Sequence, residues 1–517
     1  AVVVRKEDPN NDFLVAYFTS DAPIKNSVIK DVLLKKLPEY MVPEFIIKLD
    51  DLPLLPNGKI NKKYLGQLSV NKFSNYEKPT NPIETVLCEV FSEILGVEPV
   101  GIDTSFFELG GDSIKAIRIV SKLRERGYSA TVKSIMQNKT IKRIALTLKK
   151  LGDIQSLDEA VIGQLPFTPI QCEFFNSDLE NPNHFNQSIV LESKNEIDVS
   201  VFTRALKALV MHHDQLRAHY VNGKQFVRPE TAENLFLLSE RVLQQSSLDE
   251  IEAIGNDLQT SLDIESGPLI KCALINSLKF NGALLCIHHL LVDNISWKII
   301  LEDLNTLYEG YLKGSDVKLP QKTLSYKRWS MGIETYFQSE ERKRELDYWK
   351  QVQTEVDSNN SLYKEARNSE GIGIKESELK IGRELTANLT KKAIQAYNLD
   401  VKDLLFASLF RTMQKINGHT TVSLNMESHG RAEILDGFSI DRTVGWFTTM
   451  YPVVLSNVGD DIRLDIIRTK EALRRVPNHG IGYGIAKKLN FINEKNLQPF
   501  ITLNYFGEQT AIANSDY

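Results

Sequence analysis

The hydrophobic pattern of this chain changes twice along its length, and the two changes divide the chain into three parts. Residues 1–70 contain short strand-like runs, whereas residues 81–150 place apolar side chains at helical spacing. From residue 165 to residue 517, strand-like and helix-like segments alternate. Polar segments at 71–80 and 151–164 separate the parts as linkers. Because 517 residues exceed the usual size of one domain, we predict a multidomain α/β protein.

The three parts differ in the elements that their patterns predict. The first is a small α+β subdomain with strands at Val2–Arg5 and Leu14–Thr19 and a helix near Ser27–Leu37. The second is a four-helix bundle, and the third is long enough for two lobes joined through the polar stretch Gln338–Lys375. The predicted helices of the bundle start at Pro82 and then cover Ser113–Arg126, Val132–Gln137 and Ile141–Lys149.

Composition and charge exclude several classes of function. The net charge is −5 with acidic and basic residues interspersed, so neither a nucleic acid nor an anionic membrane is expected as a partner. No apolar run has the length of a membrane span, and four scattered cysteines fit a cytoplasmic location. The absence of a CxxC motif or of zinc-type histidine spacing predicts no bound metal. A chain that starts without Met or a leader pattern is interpreted as a fragment.

The segment His288–Trp297, HHLLVDNISW, is the strongest chemical signal in the chain. Two adjacent histidines end an apolar run, and on a strand neighbouring side chains point to opposite faces. One histidine is therefore expected to be structural and the other a reagent for proton exchange, although the spacing does not say which. A second pair, His212 and His213, shows that such pairs also arise without this context.

The string FFELGGDSIKAI, which contains Asp112 and Ser113, places two glycines before the start of a helix. The N-terminus of a helix favours a phosphate. The string resembles the peptidyl carrier domain of non-ribosomal peptide synthetases, and the resemblance implies that Ser113 carries 4′-phosphopantetheine. It also implies three partners: a phosphopantetheinyl transferase, an aminoacyl or peptidyl thioester, and neighbouring synthetase domains. Asp before and Ile after this serine are associated with carriers upstream of epimerization domains.

Two upstream strings, LPEYMVPEF (Leu37–Phe45) and LPNGKIN (Leu55–Asn61), resemble the last motifs of an adenylation domain. The resemblance makes residues 1–70 the C-terminal subdomain of that enzyme, in which Lys59 binds the adenylate. The large subdomain that holds ATP is absent, so this chain is not expected to adenylate an amino acid.

The third part resembles an epimerization domain of the condensation superfamily, and residues 165–517 are assigned to it. The resemblance implies two lobes like those of chloramphenicol acetyltransferase, with the site in a tunnel between them. The family's Glu-Gly-His-Gly-Arg-Glu string reads ESHGRA here, and the domain is expected to be cut short at its C-terminus. The matching strings are TPIQCEFF (Thr168–Phe175), HHLLVDNISW, NMESHGRAE (Asn425–Glu433), DRTVGWFTTMYP (Asp441–Pro452), PNHGIGYG (Pro477–Gly484) and LNYFGEQ (Leu503–Gln509).

Inversion at an α-carbon needs an acid/base group on each side of that carbon. The resemblance selects His289 as the reactive histidine, with His288 in a supporting role, and we expect Glu427 to be the second group. A carboxylate in a closed tunnel has a raised pKa, which suits proton exchange near neutrality. A solvated carboxylate paired with Arg431 is the alternative interpretation of Glu427.

Four further residues have supporting roles in this hypothesis. By resemblance, Asp293 turns inward and pairs with Arg217. Asn504 and Tyr505 are expected to donate hydrogen bonds to the enolate oxygen, or else to pack the second lobe as ordinary strand residues.

Two other functions remain open from the sequence. Condensation would form an amide with the same second histidine and would not need Glu427, but its motif usually ends in Asp-Gly, whereas Asn294 follows Asp293 here. A non-catalytic interaction module is the third hypothesis, because the ESHGRA string departs from the family pattern.

Overall fold

The computed structural model describes most of the chain, and every structural statement below concerns the residues that it describes. These are residues 2–6, 12–20, 29, 32–33, 43, 45–55, 60–65, 77–106, 109, 111, 113–150, 161–177, 179–243, 247–277, 280–360, 375–394, 399–432, 434, 439–456, 461–493, 499 and 501–506. The chain divides into two units, Ala1–Asp153 with Gly373–Phe406, and Ile154–Ile372 with Ala407–Tyr517. Among the described residues, no helix is both long enough and apolar enough to cross a membrane.

The first part of the chain forms a three-stranded sheet. Strands β1 (Val2–Lys6) and β2 (Asp12–Phe18) pair antiparallel, which confirms both predicted strands, and β3 (Phe45–Lys48) adds parallel to β2. A short helix, Lys62–Leu65, packs on the sheet, where the Tyr17 hydroxyl donates to the Leu65 carbonyl at 2.9 Å. Most of the predicted helix near Ser27–Leu37 lies outside the described residues.

Residues 82–147 form the predicted bundle of four helices around one apolar core. Asn81 caps the first helix by accepting from the Glu84 amide at 2.9 Å, and Gly96 ends it with a left-handed φ of 67°. The last helix stops before the predicted Lys149, because β5 (Lys149–Lys150) pairs with β4 (Tyr128–Ser129). The helices are Pro82–Leu95, Ser113–Glu125, Val132–Asn138 and Ile141–Thr147.

The second unit contains one four-stranded sheet and two three-stranded sheets, with helices packed against them. Its strands are β6 (Gly163–Leu165), β7 (Asn186–Ser193), β8 (Ala218–Val221), β9 (Lys224–Val227), β10 (Leu237–Val242), β11 (Ile270–Asn276), β12 (Asn281–His288), β13 (Val422–Ser428), β14 (Thr449–Leu455) and β15 (Thr502–Leu503). The helices of residues 161–506 are Pro169–Asn176, Val199–His212, Leu248–Thr260, Asn294–Leu312, Tyr326–Gly332, Glu340–Asn360, Arg383–Ala387, Val401–Asn417, Ile462–Arg475 and Ile481–Lys488. Strand β6 starts inside the predicted linker 151–164, so that linker ends earlier than expected.

The first lobe is built on the sheet β10-β11-β12-β7. Strand β12 is buried from Gly282 to His288, and Leu284 and Cys286 pack beneath the helix Leu248–Thr260. Both faces of this strand are therefore covered, so side chains that point to either face are buried.

The second lobe is built on the sheet β14-β13-β15, in which β13 pairs antiparallel with β14 and parallel with β15. The polar stretch predicted as the crossover contains the helix Glu340–Asn360, and this helix packs on β13 and β14. Its polar residues belong to the outer side of that helix, and the role of the segment as a crossover between the lobes stays a prediction. Residues 361–374 lie outside the described part.

Candidate active site

The two histidines of HHLLVDNISW are separated by a change of backbone structure. Strand β12 ends at His288, and a short 3₁₀ turn runs over His289–Leu291. The His288 side chain is fully buried; its Nε2 donates to the Pro182 carbonyl at 2.9 Å, and its Nδ1 accepts from the Leu290 amide at 3.2 Å. Both contacts require the neutral imidazole with its hydrogen on Nε2. Burial lowers the pKa of His288 to about 4, so it is a structural, uncharged group.

His289 has a different environment. Its ring stacks on Phe185 with centroids 5.3 Å apart and lies 4.5 Å from Trp446. Its Nδ1 is buried and makes no hydrogen bond to the described residues. Burial lowers the pKa of His289, which keeps the imidazole neutral and able to accept a proton.

The neutral state of His288 predicts a specific sensitivity to acid. Because the folded pKa is near 4 and the ordinary value is 6.5, the unfolded chain binds a proton first as pH falls. Stability is therefore complete above pH 6.5 and is lost between pH 6.5 and pH 4, by about 3 kcal/mol. We expect His288→Asn to be less stable than the wild type at pH 7 but to lose about 3 kcal/mol less on acidification.

Urea unfolding followed by tryptophan fluorescence measures this effect. All four tryptophans lie in the second unit, so the signal reports that unit. Parallel stability profiles of the two proteins between pH 7 and pH 4 would contradict the assignment of the neutral His288.

Asp293 binds an arginine, but not the one that the sequence predicted. It caps the helix Asn294–Leu312 by accepting from the Ser296 amide at 2.7 Å, and it accepts from Arg431 Nη2 at 3.1 Å. Arg217 instead pairs with Asp214 at 3.0 Å and donates to the carbonyls of Val210 and Met211. These carbonyls lie in the last turn of the helix Val199–His212, where backbone acceptors need partners from outside the helix.

Ser296 joins the two lobes beside Asp293. Its hydroxyl donates to the Gly445 carbonyl at 2.9 Å and accepts from the Gly445 amide and from Arg431 Nη2, both at 3.0 Å. Asp293 also accepts from the Phe447 amide at 3.2 Å, and the Tyr326 hydroxyl donates to the Trp446 carbonyl at 2.8 Å. The backbone of residues 445–447 is therefore fixed against the loop that carries His289.

Glu427 lies near the end of β13, opposite Met450 of β14. Burial raises the pKa of this half-buried carboxyl, and a hydrogen bond from Asn504 partly opposes the rise. Arg431, the alternative partner of Glu427, is used by Asp293 instead. Tyr505 is partly buried beside Asn504, and the roles of these two residues toward a substrate oxygen stay predictions.

The turn after Glu427 requires glycine at one position. Gly430 has a φ of +61°, and a Cβ on it would lie 1.7 Å from the Phe447 carbonyl oxygen. Only glycine allows this turn to approach residues 445–447 so closely. The turn then places Arg431 against Asp293, and its Nη1 donates to the carbonyls of Ile440 and Thr443 at 2.9 and 2.7 Å.

One short segment connects the surroundings of the two candidate acid/base groups. Trp446 contacts the ring of His289, and Met450 pairs with Glu427. The Cα atoms of residues 446 and 450 are at most about 14 Å apart, because an extended chain spans no more than about 3.6 Å per residue. His289 of the first lobe and Glu427 of the second thus both lie against the segment 446–450.

The second histidine pair belongs to an ionic network. His212, His213 and Asp303 present nitrogen and oxygen atoms close enough together to bind a cation. However, His213 Nε2 contacts one Asp303 oxygen at 2.9 Å, and Arg442 binds the other. With both oxygens occupied and an arginine cation beside them, the arrangement is that of a buried ion pair.

The carrier region places Ser113 at the first position of a 13-residue helix. Gly111 lies directly against Phe106: a Cβ there would lie 2.2 Å from the Phe106 ring, and the Gly111 amide donates to the Phe106 carbonyl at 2.9 Å. A helix N-terminus that follows such a loop fits a phosphate ester. Asp112 and Lys59 lie outside the described residues, so their roles stay predictions.

Comparisons with known proteins agree with this arrangement. A family model described as "Condensation domain" matches residues 161–516, and one described as "Phosphopantetheine attachment site" matches residues 85–148. The chain belongs to the condensation-domain family, with a site of covalent phosphopantetheine attachment ahead of that domain. It is a non-ribosomal peptide synthetase chain, as the resemblance in its motifs predicted.

Individual relatives match this chain over nearly its whole length. Tyrocidine synthase 1 of Brevibacillus parabrevis is 34% identical over 98% of this chain and 48% of its own length. Surfactin synthase subunit 1 of Bacillus subtilis (strain 168) is also 34% identical over 98% of this chain, but over only 14% of its own length. This chain therefore corresponds to a minor part of each relative.

Among solved structures, the epimerization domain from the third module of tyrocidine synthetase B is similar, with a TM-score of 0.58 and 30% identity. The match covers 67% of this chain and 82% of that one. The two-lobed α/β fold expected from the sequence is confirmed by this likeness.

Three residues that contact or fix the candidate site were not selected from the sequence. Ser296 and Trp446 lie inside the quoted motifs, and Arg431 was considered only as a partner of Glu427. Their positions in those motifs were the available signal, but the contacts depend on how the two lobes meet.

Proposed function

We propose that the second unit interconverts the L and D configurations of an aminoacyl or peptidyl thioester carried on Ser113. The observation that carries this proposal is a pair of acid/base groups from opposite lobes whose pKa values are shifted toward each other. Burial raises the pKa of Glu427 above 4.5 and lowers that of His289 below 6.5. The two shifts bring the proton affinities of the carboxyl and the imidazole closer together, which suits a pair that exchanges protons with one carbon.

The bound 4′-phosphopantetheine supplies a thioester, which makes the hydrogen on the α-carbon of its acyl group more acidic. Neutral His289 takes a proton from one side of that carbon, and the protonated carboxyl of Glu427 returns one from the other. The reverse reaction exchanges the two roles. The buried Asp293–Arg431 pair and Gly430 hold the two groups in their positions and do not exchange protons.

Two further observations support inversion over amide formation. The similar solved structure is an epimerization domain, and the match covers 82% of that domain's chain. Asn294 stands at the first position of its helix where a condensation motif usually has glycine.

Deuterium exchange tests the proposal directly. The carrier is loaded by a phosphopantetheinyl transferase with phenylalanyl-, leucyl- or aspartyl-coenzyme A, incubated in deuterated water, and hydrolysed for mass and chiral analysis. Deuterium at the α-carbon together with the D isomer is the expected result for at least one acyl group. The Ser113→Ala protein, which cannot be loaded, is the control.

The same assay separates the two other hypotheses. Condensation predicts an amide that forms only when a second carrier with an aminoacyl thioester is added, without exchange at the α-carbon. A non-catalytic module predicts neither product. Either outcome, obtained with all three acyl groups, contradicts the proposal.

A further inference from the structure

We infer that the indole N–H of Trp446 binds the thioester carbonyl oxygen of the substrate and stabilises the negative charge that forms on it. This inference rests on the proposed function and assigns a third catalytic residue to the same site. It concerns hydrogen bonding alone, because the indole keeps its proton throughout.

The indole nitrogen of Trp446 is a donor without an acceptor. Trp446 is only 5% exposed, and its Nε1 is buried without a hydrogen-bond partner among the described residues. A buried donor without an acceptor costs about 1–3 kcal/mol, so such groups are rare unless they have a role.

The indole N–H groups of the other three tryptophans each donate a hydrogen bond. Trp297 donates to Gln187 Oε1 at 2.7 Å, and Trp349 and Trp329 donate at 3.4 Å to Glu345 Oε1 and the Ala432 carbonyl. The chain has four tryptophans, and all four are described. Trp446 is therefore the one tryptophan whose N–H has no protein acceptor among the described residues, which leaves this donor available to a substrate.

The location of Trp446 places this donor beside the candidate base. The Trp446 ring lies 4.5 Å from the ring of His289, and both contact Phe185, which is 37% exposed. A substrate whose α-carbon reaches His289 has its carbonyl carbon one bond away from that carbon. In the inferred complex, the oxygen of that carbonyl accepts from the N–H of the indole whose ring lies beside the imidazole.

The backbone that carries Trp446 is held by hydrogen bonds at three successive residues. The Trp446 carbonyl accepts from the Tyr326 hydroxyl, and the flanking amides of Gly445 and Phe447 donate to Ser296 and Asp293. A donor that is fixed before the reaction needs no reorganisation when charge appears, which is the condition for effective electrostatic stabilisation.

The chemical step balances without a further reagent. The base takes the α-proton, the C–H electron pair forms the C=C bond of the enolate, and the carbonyl π pair moves to oxygen. The Trp446 N–H donates to that oxygen. When the opposite acid returns a proton to the α-carbon, the π pair moves back and the hydrogen bond weakens.

Trp446→Phe tests the inference, because it keeps an aromatic ring and removes the donor. The loaded protein is followed by its single-turnover rate of deuterium incorporation at the α-carbon, and the variant is expected to be about 10²- to 10³-fold slower. Replacing Trp446 by 3-benzothienylalanine, in which sulfur stands for N–H, keeps the shape and should show the same loss.

Trp329→Phe is the matched control. Trp329 is also buried, and its ring packs on Phe447 at 4.8 Å, but its N–H makes only a long hydrogen bond. Its exchange rate should stay close to that of the wild type. Equal losses in Trp446→Phe and Trp329→Phe, or full activity of the benzothienyl protein, would overturn the inference.

A binding measurement gives a readout that does not depend on turnover. The indole N–H signals of the ¹⁵N-labelled protein are recorded while Ser113 carries phenylalanyl-aminopantetheine, an unreactive amide. A downfield shift confined to the signal that Trp446→Phe removes is expected, and no shift of that signal would contradict the inference. If the wild type shows no exchange, the proposed function fails; if the wild type is active and Trp446→Phe retains its rate, the inference alone fails.

Discussion

Glu427→Gln and His289→Ala are each expected to abolish net inversion of the carrier-bound amino acid, with the rate falling by about 10²- to 10⁴-fold. A glutamine amide at position 427 cannot act as an acid or base near neutral pH, and an alanine at position 289 offers no base at all. Chiral analysis of the released amino acid after single turnover measures the loss.

The two variants should differ in which enantiomer still exchanges its α-hydrogen for deuterium. With one group left, that group can remove and return a proton on its own side of the α-carbon, so deuterium enters one enantiomer without inversion. Glu427→Gln and His289→Ala should therefore exchange opposite enantiomers when loaded with L and D phenylalanyl groups. Exchange of the same enantiomer by both variants, or normal inversion by either, would rule out two groups on opposite sides.

A matched control separates the loss of a carboxylate at the site from the loss of any carboxylate. Glu471 lies on the second-lobe helix Ile462–Arg475, is exposed, and pairs only loosely with Arg475 at 3.7 Å. Glu471→Gln is expected to keep the wild-type rate of inversion, because exposed pairs contribute little.

Arg431→Met is expected to destabilise the second unit by about 3–5 kcal/mol. Both side chains of the Asp293–Arg431 pair are almost fully buried, so removing the arginine leaves an uncompensated carboxylate between the lobes. The change also removes three further hydrogen bonds, to Ser296 Oγ and to the carbonyls of Ile440 and Thr443. Urea unfolding by tryptophan fluorescence measures the free energy.

A double-mutant cycle identifies which arginine is the partner. Asp293→Asn combined with Arg431→Met should show a coupling of about 0.5–3 kcal/mol. Asp293→Asn combined with Arg217→Met should be additive within about 0.5 kcal/mol, because Arg217 uses Asp214 and backbone carbonyls. Coupling between Asp293 and Arg217, with additivity between Asp293 and Arg431, would instead support the pairing that the sequence predicted.

The choice between these two arginines could not be made from the sequence, because it depends on a contact between the lobes. Arg217 was selected as the partner of Asp293 by the family resemblance. Arg431 is 138 residues from Asp293, and nothing in either segment encodes how the lobes meet. Pairing across lobes depends on tertiary packing, which a local pattern does not contain.

The prediction that His288 and His289 have different roles rested on alternation along a strand, but a different structural feature separates the two residues. Alternation along a strand separated His288 from His289, and the structure does give both His288 nitrogens structural contacts. The separation, however, comes from the end of β12 at His288, since the strand is covered on both faces. Element boundaries and two-sided burial are difficult to read from a short apolar run.

The domains were more predictable than the contacts between residues. The bundle helices appear in the structure at the expected positions because their apolar spacing is regular and their caps are local. Trp446 could not be selected in the same way, because an unsatisfied donor is defined by everything that surrounds it.

The contacts among Asp293, Ser296, Tyr326 and residues 445–447 also determine how the second unit can move. Opening the lobes at this edge would break several buried hydrogen bonds at once, whereas a rotation about it would leave them intact. A rotation about this edge is therefore the movement of the lobes that keeps most of these hydrogen bonds. His289 and Trp446 lie at the same edge, so their ring contact at 4.5 Å would be kept as well.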